Sequence, residues 1–132
     1  MPLFSRGVLH NNLVASNIIL NERVKPILIG FTFACRESCG KAKVEDVLKL
    51  FNDQSHFAPE LFNGSKVSYS SDVYSFGILL QLILKRPMSF FNEDKLKTRL
   101  ACIAQHCVEK SRGKRFPHLF LQNRLKAIIE NS

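Results

Sequence analysis

Residues 71–84 read SDVYSFGILLQLIL and predict a long helix around which the rest of the fold is arranged. Ser70 or Ser71 can cap its N-terminus, and Asp72 places an acidic side chain in its first turn. Apolar side chains from Val73 onward cover more than one face of the helix. Because a helix that is apolar nearly all round is normally surrounded by protein, this helix is predicted to lie inside a domain.

A small β-hairpin is predicted before this helix. Residues 17–20 and residues 24–33 are short runs rich in β-branched and other apolar side chains, which favours strands. The sequence between them, Asn21-Glu22-Arg23, is typical of a turn. Residues 35–43 are polar and contain a glycine, so a loop is predicted there.

Three further helices are predicted from apolar side chains at helical spacing. The first covers residues 44–51. Asn92 can cap the second, and Pro117 lies in the first turn of the third, where proline is favoured. The apolar faces of the last two helices carry Leu96, Leu100, Ile103, Cys107, Val108, Leu121, Leu125, Ile128 and Ile129. The predicted fold class is therefore mainly α with a small β-hairpin.

The composition is that of one globular domain. The chain has 132 residues, of which 45% are hydrophobic and 23% are charged, and this is enough for a single core. No apolar run approaches the ~18 residues typical of a membrane span. Residues 1–10 lack the apolar block of a secretory signal. The expected location is therefore cytoplasmic.

Neither the cysteines nor the basic charge indicates a specific ligand. The four cysteines form no dense disulfide framework and no close Cys-x-x-Cys pair, so reduced thiols are expected rather than a zinc site. The formal net charge is +8, with a dense basic stretch at residues 110–115. Such a surplus can meet nucleic acid, acidic lipid or an acidic partner. Because no nucleic-acid motif accompanies it, a solvated basic face is the simpler interpretation.

The order of these segments resembles the C-terminal lobe of protein kinases, most closely that of the tyrosine-kinase-like families. The similarity extends from residue 10 to the last predicted helix. Besides the hairpin, the residues that carry it are His10, Ala58, Pro59, Glu60, Asp72 and Gly77. The resemblance implies that residues 1–132 form a partial kinase-like domain in which the N-terminal lobe is absent.

The catalytic loop of the family reads His-Arg-Asp-Leu, three variable residues and Asn, and residues 10–17 here read HNNLVASN. Asn12 stands where the family has the aspartate that accepts the proton of the substrate hydroxyl. Gly30 stands at the metal-binding aspartate of the Asp-Phe-Gly motif, of which Phe31 is the retained phenylalanine. Asn17 is the only matched metal ligand, and its amide is expected to organise the loop instead.

The changes at Asn12 and Gly30 remove two carboxylates from the site that the resemblance implies. An amide cannot act as a base, and Mg²⁺ prefers anionic oxygen ligands. ATP and Mg²⁺ are the cofactors of the family, but no cofactor and no metal site are expected here. With no catalytic residue intact, the chain is predicted not to be a working enzyme.

The resemblance implies architectural roles for the residues that do match. Glu60 and Arg115 correspond to a buried ion pair that ties the activation segment to the later helices, and the alternative is two unrelated surface charges. Asp72 corresponds to an aspartate that holds the catalytic-loop backbone, and the alternative is a simple acidic residue at a helix N-terminus. His10 is expected to pack beneath the loop against Phe31.

The first functional interpretation is a catalytically inactive kinase-like module that binds other proteins. The helix that precedes the catalytic loop in the family is expected to be absent, so an apolar flank is expected to be uncovered and open to a partner or to self-association. One alternative is a fragment of a protein kinase with ATP binding and residual phosphotransfer to Ser, Thr or Tyr. Others are a basic module for nucleic acid or acidic lipid and a chain without a selected role.

Overall fold

The computed structural model describes residues 7–36, 54–86 and 93–130. Within these ranges the chain has four short strands and three α-helices. The strands are β1 (Val8–Leu9), β2 (Ile18–Leu20), β3 (Pro26–Leu28) and β4 (Cys35–Arg36). The helices are α1 (Tyr69–Leu84), α2 (Glu93–Cys107) and α3 (His118–Glu130). Single 3-10 turns cover Ala15–Asn17, Phe31–Phe33, Pro59–Asn63 and Arg112–Lys114.

The predicted β-hairpin is confirmed, with a shorter second strand. β2 and β3 pair antiparallel. In the turn between them, the side-chain oxygen of Asn21 accepts hydrogen bonds from the backbone N–H groups of Arg23 and Lys25, both at 2.9 Å. The second strand ends at Leu28 rather than at residue 33 because Gly30 has a left-handed backbone (φ 77°) and starts a 3-10 turn.

β1 and β4 form a second antiparallel pair, in which Leu9 lies opposite Cys35. This pair was not predicted, and the expectation of a loop from residue 35 is wrong for residues 35 and 36. Strands of two residues have no recognisable periodicity, so nothing in the local sequence indicates them. The pairing closes a compact segment that contains both the loop at residues 10–17 and Gly30.

α1 is capped by Ser68, and the prediction of Ser70 or Ser71 as the cap is wrong. The Ser68 hydroxyl accepts a hydrogen bond from the Ser71 backbone N–H at 3.3 Å, and the Ser68 N–H donates to the Ser71 hydroxyl at 2.9 Å. This capping box satisfies two backbone donors at once, which a cap further along the chain would not do. Asp72 lies in the first turn, as predicted.

α1 packs against α2 and α3 through one apolar core cluster. Its buried members are Val73, Leu80, Ile103, Ala104, Cys107 and Leu121. Gly77 allows the two helix backbones to approach closely, because a Cβ atom built on it would lie 2.6 Å from the Cβ of Cys107. A second cluster joins β1 to the segment before α1, and it consists of Leu9, Phe57, Ala58, Leu61 and Val67.

α1 is not surrounded by protein along its whole length. Leu82 and Ile83 are 51% and 47% exposed. The prediction of burial on nearly all faces is therefore wrong for the last turn of the helix, because α2 and α3 cover only one side of it.

The predicted apolar faces of the last two helices are confirmed at Ile103, Cys107 and Leu121, which are buried. Cys102 is exposed and Cys107 is buried, so the two thiols lie on different faces of α2. The predicted helix at residues 44–51, the predicted cap Asn92 and the side chain of Ile129 lie outside the described residues. Across the described ranges, no helix is long and apolar enough to cross a membrane.

Candidate active site

Asp72 holds the start of the loop at residues 10–17 through both of its carboxylate oxygens. The backbone N–H of His10 donates to Oδ2 at 2.7 Å, and the backbone N–H of Asn11 donates to Oδ1 at 3.0 Å. Asp72 and His10 are both buried. Burial raises the pKa of Asp72 above its usual 3.8, although the two N–H donors act in the opposite direction. The first turn of α1 is thus hydrogen-bonded directly to the candidate catalytic loop.

The imidazole of His10 connects the loop to the segment that follows the hairpin. Nδ1 accepts a hydrogen bond from the backbone N–H of Asn12 at 3.1 Å, so the proton is assigned to Nε2, which donates to the carbonyl of Ile29 at 2.8 Å. The ring also meets Phe31 edge-on, with 4.8 Å between the ring centroids. Both nitrogens of His10 therefore serve the architecture of the site.

Asn11 is a second organising residue of the loop, and its role was missed from the sequence. Its backbone is left-handed, with φ at 67°. Its side-chain Nδ2 donates to the carbonyl of Phe33 at 2.9 Å and lies 3.4 Å from the sulfur of Cys35. The available signal was the residue type, since asparagine tolerates a left-handed backbone better than most non-glycine residues.

Asn12 and Gly30 occupy the two positions at which the family resemblance leads one to expect carboxylates. The carbonyl of Asn12 accepts a hydrogen bond from Nδ2 of Asn17 at 2.9 Å. Within the described residues, the side-chain Oδ1 of Asn12 is buried and has no hydrogen-bond partner. A Cβ atom built on Gly30 would lie 2.7 Å from Nδ2 of Asn17. The side chain of Asn17 therefore occupies the space that any side chain at position 30 would need.

The donor set at this position does not fit a magnesium ion. Gly30 contributes no side chain, and Asn17 contributes one neutral amide whose nitrogen already bonds to Asn12. In the parts of the chain that the structure describes, no three His, Cys, Asp or Glu side chains group together as a metal site. Magnesium normally requires carboxylate oxygens in a tight octahedron.

Glu60 and Arg115 form a two-point ion pair. Nη1 and Nη2 of Arg115 donate to Oε1 and Oε2 of Glu60, each at 2.7 Å. The side chain of Arg115 is fully buried and that of Glu60 is 13% exposed. Burial alone would raise the pKa of Glu60, but the hydrogen bonds and charge of Arg115 outweigh it, and the pKa lies below the usual 4.5. Ala58 is buried and Pro59 begins the 3-10 turn that carries Glu60.

The two sets of contacts converge on the first turn of α1. Asp72 binds the loop at residues 10–17, while the carbonyl of Ser70 accepts a hydrogen bond from Arg115 at 3.1 Å. Gly77 lies further along α1 and contacts α2 rather than the loop. The structure thus joins His10, Asn17, Gly30, Phe31 and Asp72 in one site, with the Glu60–Arg115 pair as a separate support.

Comparison with known proteins identifies relatives of this chain. The sequence profile of the protein kinase domain matches residues 2–129. The chain is 32% identical to the protein kinase STUNTED of Arabidopsis thaliana over 113 residues, which are 83% of this chain and 18% of that protein. It is 36% identical to a G-type lectin S-receptor-like serine/threonine-protein kinase of the same plant over 95 residues, 71% of this chain and 11% of that protein.

A third relative comes from an animal. The chain is 31% identical to the serine/threonine-protein kinase mos of Gallus gallus over 91 residues, which are 69% of this chain and 26% of that protein. In all three comparisons the matched region spans about a quarter or less of the relative's own length.

The prediction that this chain is not an enzyme is wrong. The matching family is a family of enzymes, and all three relatives are protein kinases. The prediction gave the amide at Asn12 and the glycine at Gly30 more weight than the match along almost the whole chain. Two changed positions alter the chemistry expected of a site, but they do not outweigh a family match that covers residues 2–129.

Proposed function

We infer that this chain, which belongs to the protein kinase domain family, forms the part of a kinase domain that carries the catalytic loop and anchors the activation segment. In the family these features belong to the C-terminal lobe. The proposed activity is the family's transfer of phosphate from ATP to a protein hydroxyl, at a low rate because the donor set at Asn17 and Gly30 does not fit a magnesium ion. The names of the relatives support serine or threonine as the acceptor, and closer kinship with tyrosine-kinase-like families stays a prediction.

The observation that carries this proposal is the double hydrogen bond of Asp72 to the loop backbone. Because Asp72 fixes the N–H groups of His10 and Asn11, the next residue, Asn12, has a defined position. Its Oδ1 is buried and has no hydrogen-bond partner among the described residues, so the amide must turn outward before it can accept a hydrogen bond from a substrate hydroxyl. An amide can orient that hydroxyl but cannot take its proton, and losing a general base typically slows a reaction by ~10²–10⁴-fold.

The first test measures phosphate incorporation from ATP into a generic protein substrate by the full-length protein. Replacing Asn12 with aspartate restores a proton acceptor, so Asn12→Asp is expected to raise the initial rate by at least about tenfold. Asn63→Asp makes the same chemical change on an exposed residue at the end of the Pro59–Asn63 turn, and no change in rate is expected. Phosphoamino-acid analysis of the product then distinguishes serine, threonine and tyrosine.

Disrupting the support of the loop is expected to have the opposite effect. Asp72→Asn leaves one carbonyl oxygen in place of two carboxylate oxygens, so one of the two loop N–H groups loses its acceptor. The Asn12→Asp gain should therefore vanish in the double variant Asn12→Asp/Asp72→Asn. If the wild type and Asn12→Asp both fold, as judged by circular dichroism, and neither incorporates phosphate, the proposed activity is wrong.

A second proposed role is protein binding through exposed apolar side chains. Leu82 and Ile83 on α1 and Leu119 on α3 are 51%, 47% and 61% exposed. Neighbouring apolar side chains on a helix are a common contact surface between proteins. Leu82 and Ile83 form the α1 surface, and the role proposed for it is association between two copies of the chain.

A further inference from the structure

A cavity of about 400 Å³ lies between α2 and α3, and no residue of the candidate catalytic loop contributes to it. The side chains that define it are Arg99, Ile103, His106, Phe116, Arg124 and Ile128. Its volume is within the range typical of ligand-binding pockets, which are largely apolar with a few polar groups. Of these residues, only Ile103 and Ile128 were named from the sequence, as members of apolar helix faces.

The cavity is built from two facing stripes of side chains. On α2, Arg99, Ile103 and His106 are spaced at i, i+4 and i+7, which places them on one face of the helix. On α3, Arg124 and Ile128 are spaced at i and i+4. Ile103 is only 4% exposed, whereas Arg99, His106 and Arg124 are exposed. The cavity therefore has an apolar floor and a cationic rim.

Aromatic contacts hold part of this rim in place. The His106 ring stacks on Phe116, with 4.6 Å between ring centroids and 21° between ring planes. Phe116 meets Phe120 edge-on at 4.8 Å, and the guanidinium of Arg124 lies 5.8 Å from the centre of the Phe120 ring. Groups that are ordered before binding lose less freedom when a ligand arrives.

We propose that the cavity between α2 and α3 binds an acidic segment of a partner protein, with carboxylates on the arginines and an apolar side chain on Ile103. The charge supports an acidic ligand, since no acidic side chain of the described residues lines the cavity and the chain has a formal net charge of +8. Such a field steers acidic partners toward the site. The exposure of both arginines, His106 and Ala127 makes the cavity open to a peptide rather than closed around a small molecule.

The test uses a fluorescent seven-residue peptide that alternates Glu with Leu and Phe, and a control peptide with Gln in place of each Glu. Binding to the full-length protein is followed by fluorescence anisotropy. The variant Arg99→Gln/Arg124→Gln is expected to weaken binding by at least about tenfold. The control variant Lys95→Gln/Lys126→Gln removes the same charge from the same two helices outside the cavity, and it should change binding by less than about twofold.

Two further measurements locate the peptide. Ala127→Phe keeps every charge but fills the cavity, and it is expected to abolish binding. Cys102 also lines the cavity and is exposed, so bound peptide should slow its alkylation by iodoacetamide, with the buried Cys107 as an internal reference. The same alkylation measurement is repeated with decanoate, a free carboxylate with an apolar chain, in place of the peptide.

Three results would overturn the proposal. Equal losses in the cavity variant and the lysine variant would show unspecific attraction to the basic chain. Binding of the Gln peptide as tightly as the Glu peptide would remove the role of charge. Protection of Cys102 by decanoate but not by the acidic peptide would assign the cavity to a small amphipathic anion instead of a protein segment. None of these readouts involves phosphotransfer, so they are independent of the activity proposed above.

Discussion

All three side-chain nitrogens of Arg115 donate hydrogen bonds. Besides the two bonds to the Glu60 carboxylate, Nε donates to the carbonyl of Glu109 at 2.7 Å. Further bonds reach the carbonyls of Ser70 at 3.1 Å and Lys110 at 3.2 Å. A lysine ammonium lacks the planar fork that makes these contacts together. Arg115 therefore joins the Pro59–Asn63 turn, the start of α1 and the segment after α2 at one point.

The Glu60–Arg115 pair is expected to make stability depend on pH in acid. The pKa of Glu60 is lower in the folded chain than its usual 4.5, so the ionised carboxylate contributes stability above that value. The contribution is lost as the pH falls through the folded-state pKa. Urea unfolding of the wild type and Glu60→Gln between pH 7 and pH 3 should show a difference in unfolding free energy that shrinks toward acid.

The difference in unfolding free energy between the wild type and Glu60→Gln also separates the contribution of Glu60 from that of Asp72. Since the pKa of Asp72 is raised on folding, protonation of Asp72 favours the folded state, and its contribution to stability increases as the pH falls. That effect has the opposite sign and is present in both proteins, so it cancels in the difference. Glu22→Gln, an exposed control in the hairpin turn, should show no such convergence. A difference in unfolding free energy between the wild type and Glu60→Gln that stays constant down to pH 3 would contradict the assigned role of Glu60.

At the scale of elements, the contact between α1 and α2 depends on the missing side chain of Gly77. A Cβ atom at this position would lie 2.6 Å from Cβ of Cys107 and 2.8 Å from Cγ1 of Val108. Gly77→Ala is expected to destabilise the fold by about 1–3 kcal/mol through overpacking, even though alanine favours a helix by about 1 kcal/mol over glycine. Thermal or urea unfolding measures the loss.

Gly113→Ala is the matched control, because no atom lies within 4 Å of the Cβ that it would add. Its midpoint of unfolding should stay close to that of the wild type. If Gly77→Ala proves as stable as Gly113→Ala, then α1 and α2 do not pack as closely as the structure describes.

The elements differ in how far their sequence predicts them. The β2–β3 hairpin is predictable because two apolar runs flank a turn whose Asn21 side chain bonds to its own backbone. The β1–β4 pair is not, because its strands have two residues each and pair across a long stretch of chain. The cap of α1 was misplaced since several nearby serines fit the same preference, and only their reciprocal hydrogen bonds identify Ser68.

The same distinction holds within the candidate site. Asp72, His10 and Glu60 are recognisable because their side chains belong to motifs with a fixed order. The acceptors of Arg115 at Glu109 and Lys110 are backbone carbonyls, and a carbonyl has no residue type to recognise. The cavity between α2 and α3 was not predicted for a related reason. Its arginines look like solvated surface charges until the two helices are placed side by side.

At the scale of the whole molecule, exposed apolar side chains of the described residues include groups on the hairpin, on α1 and on α3, besides Phe31 and Phe62 in the 3-10 turns. On the hairpin, Leu20 and Ile27 are 63% and 42% exposed. On α1, Leu82 and Ile83 are exposed to a similar degree, and on α3 the exposed apolar side chains are Leu119 and Phe120. The α1 pair differs from the hairpin pair because it lies on a helix that also forms the core, on the side that α2 and α3 do not cover. Burial of such side chains contributes about 1.5–3 kcal/mol each.

The α1 surface is therefore predicted to mediate self-association, and sedimentation velocity over a range of concentrations measures it. Leu82→Gln/Ile83→Gln keeps the net charge and the helix propensity, and it should raise the dissociation constant of the dimer by at least about tenfold. Leu20→Gln/Ile27→Gln makes an equivalent change on the hairpin and should leave the constant nearly unchanged. A wild type that sediments as a monomer at all concentrations, or equal effects of the two double variants, would contradict association through α1.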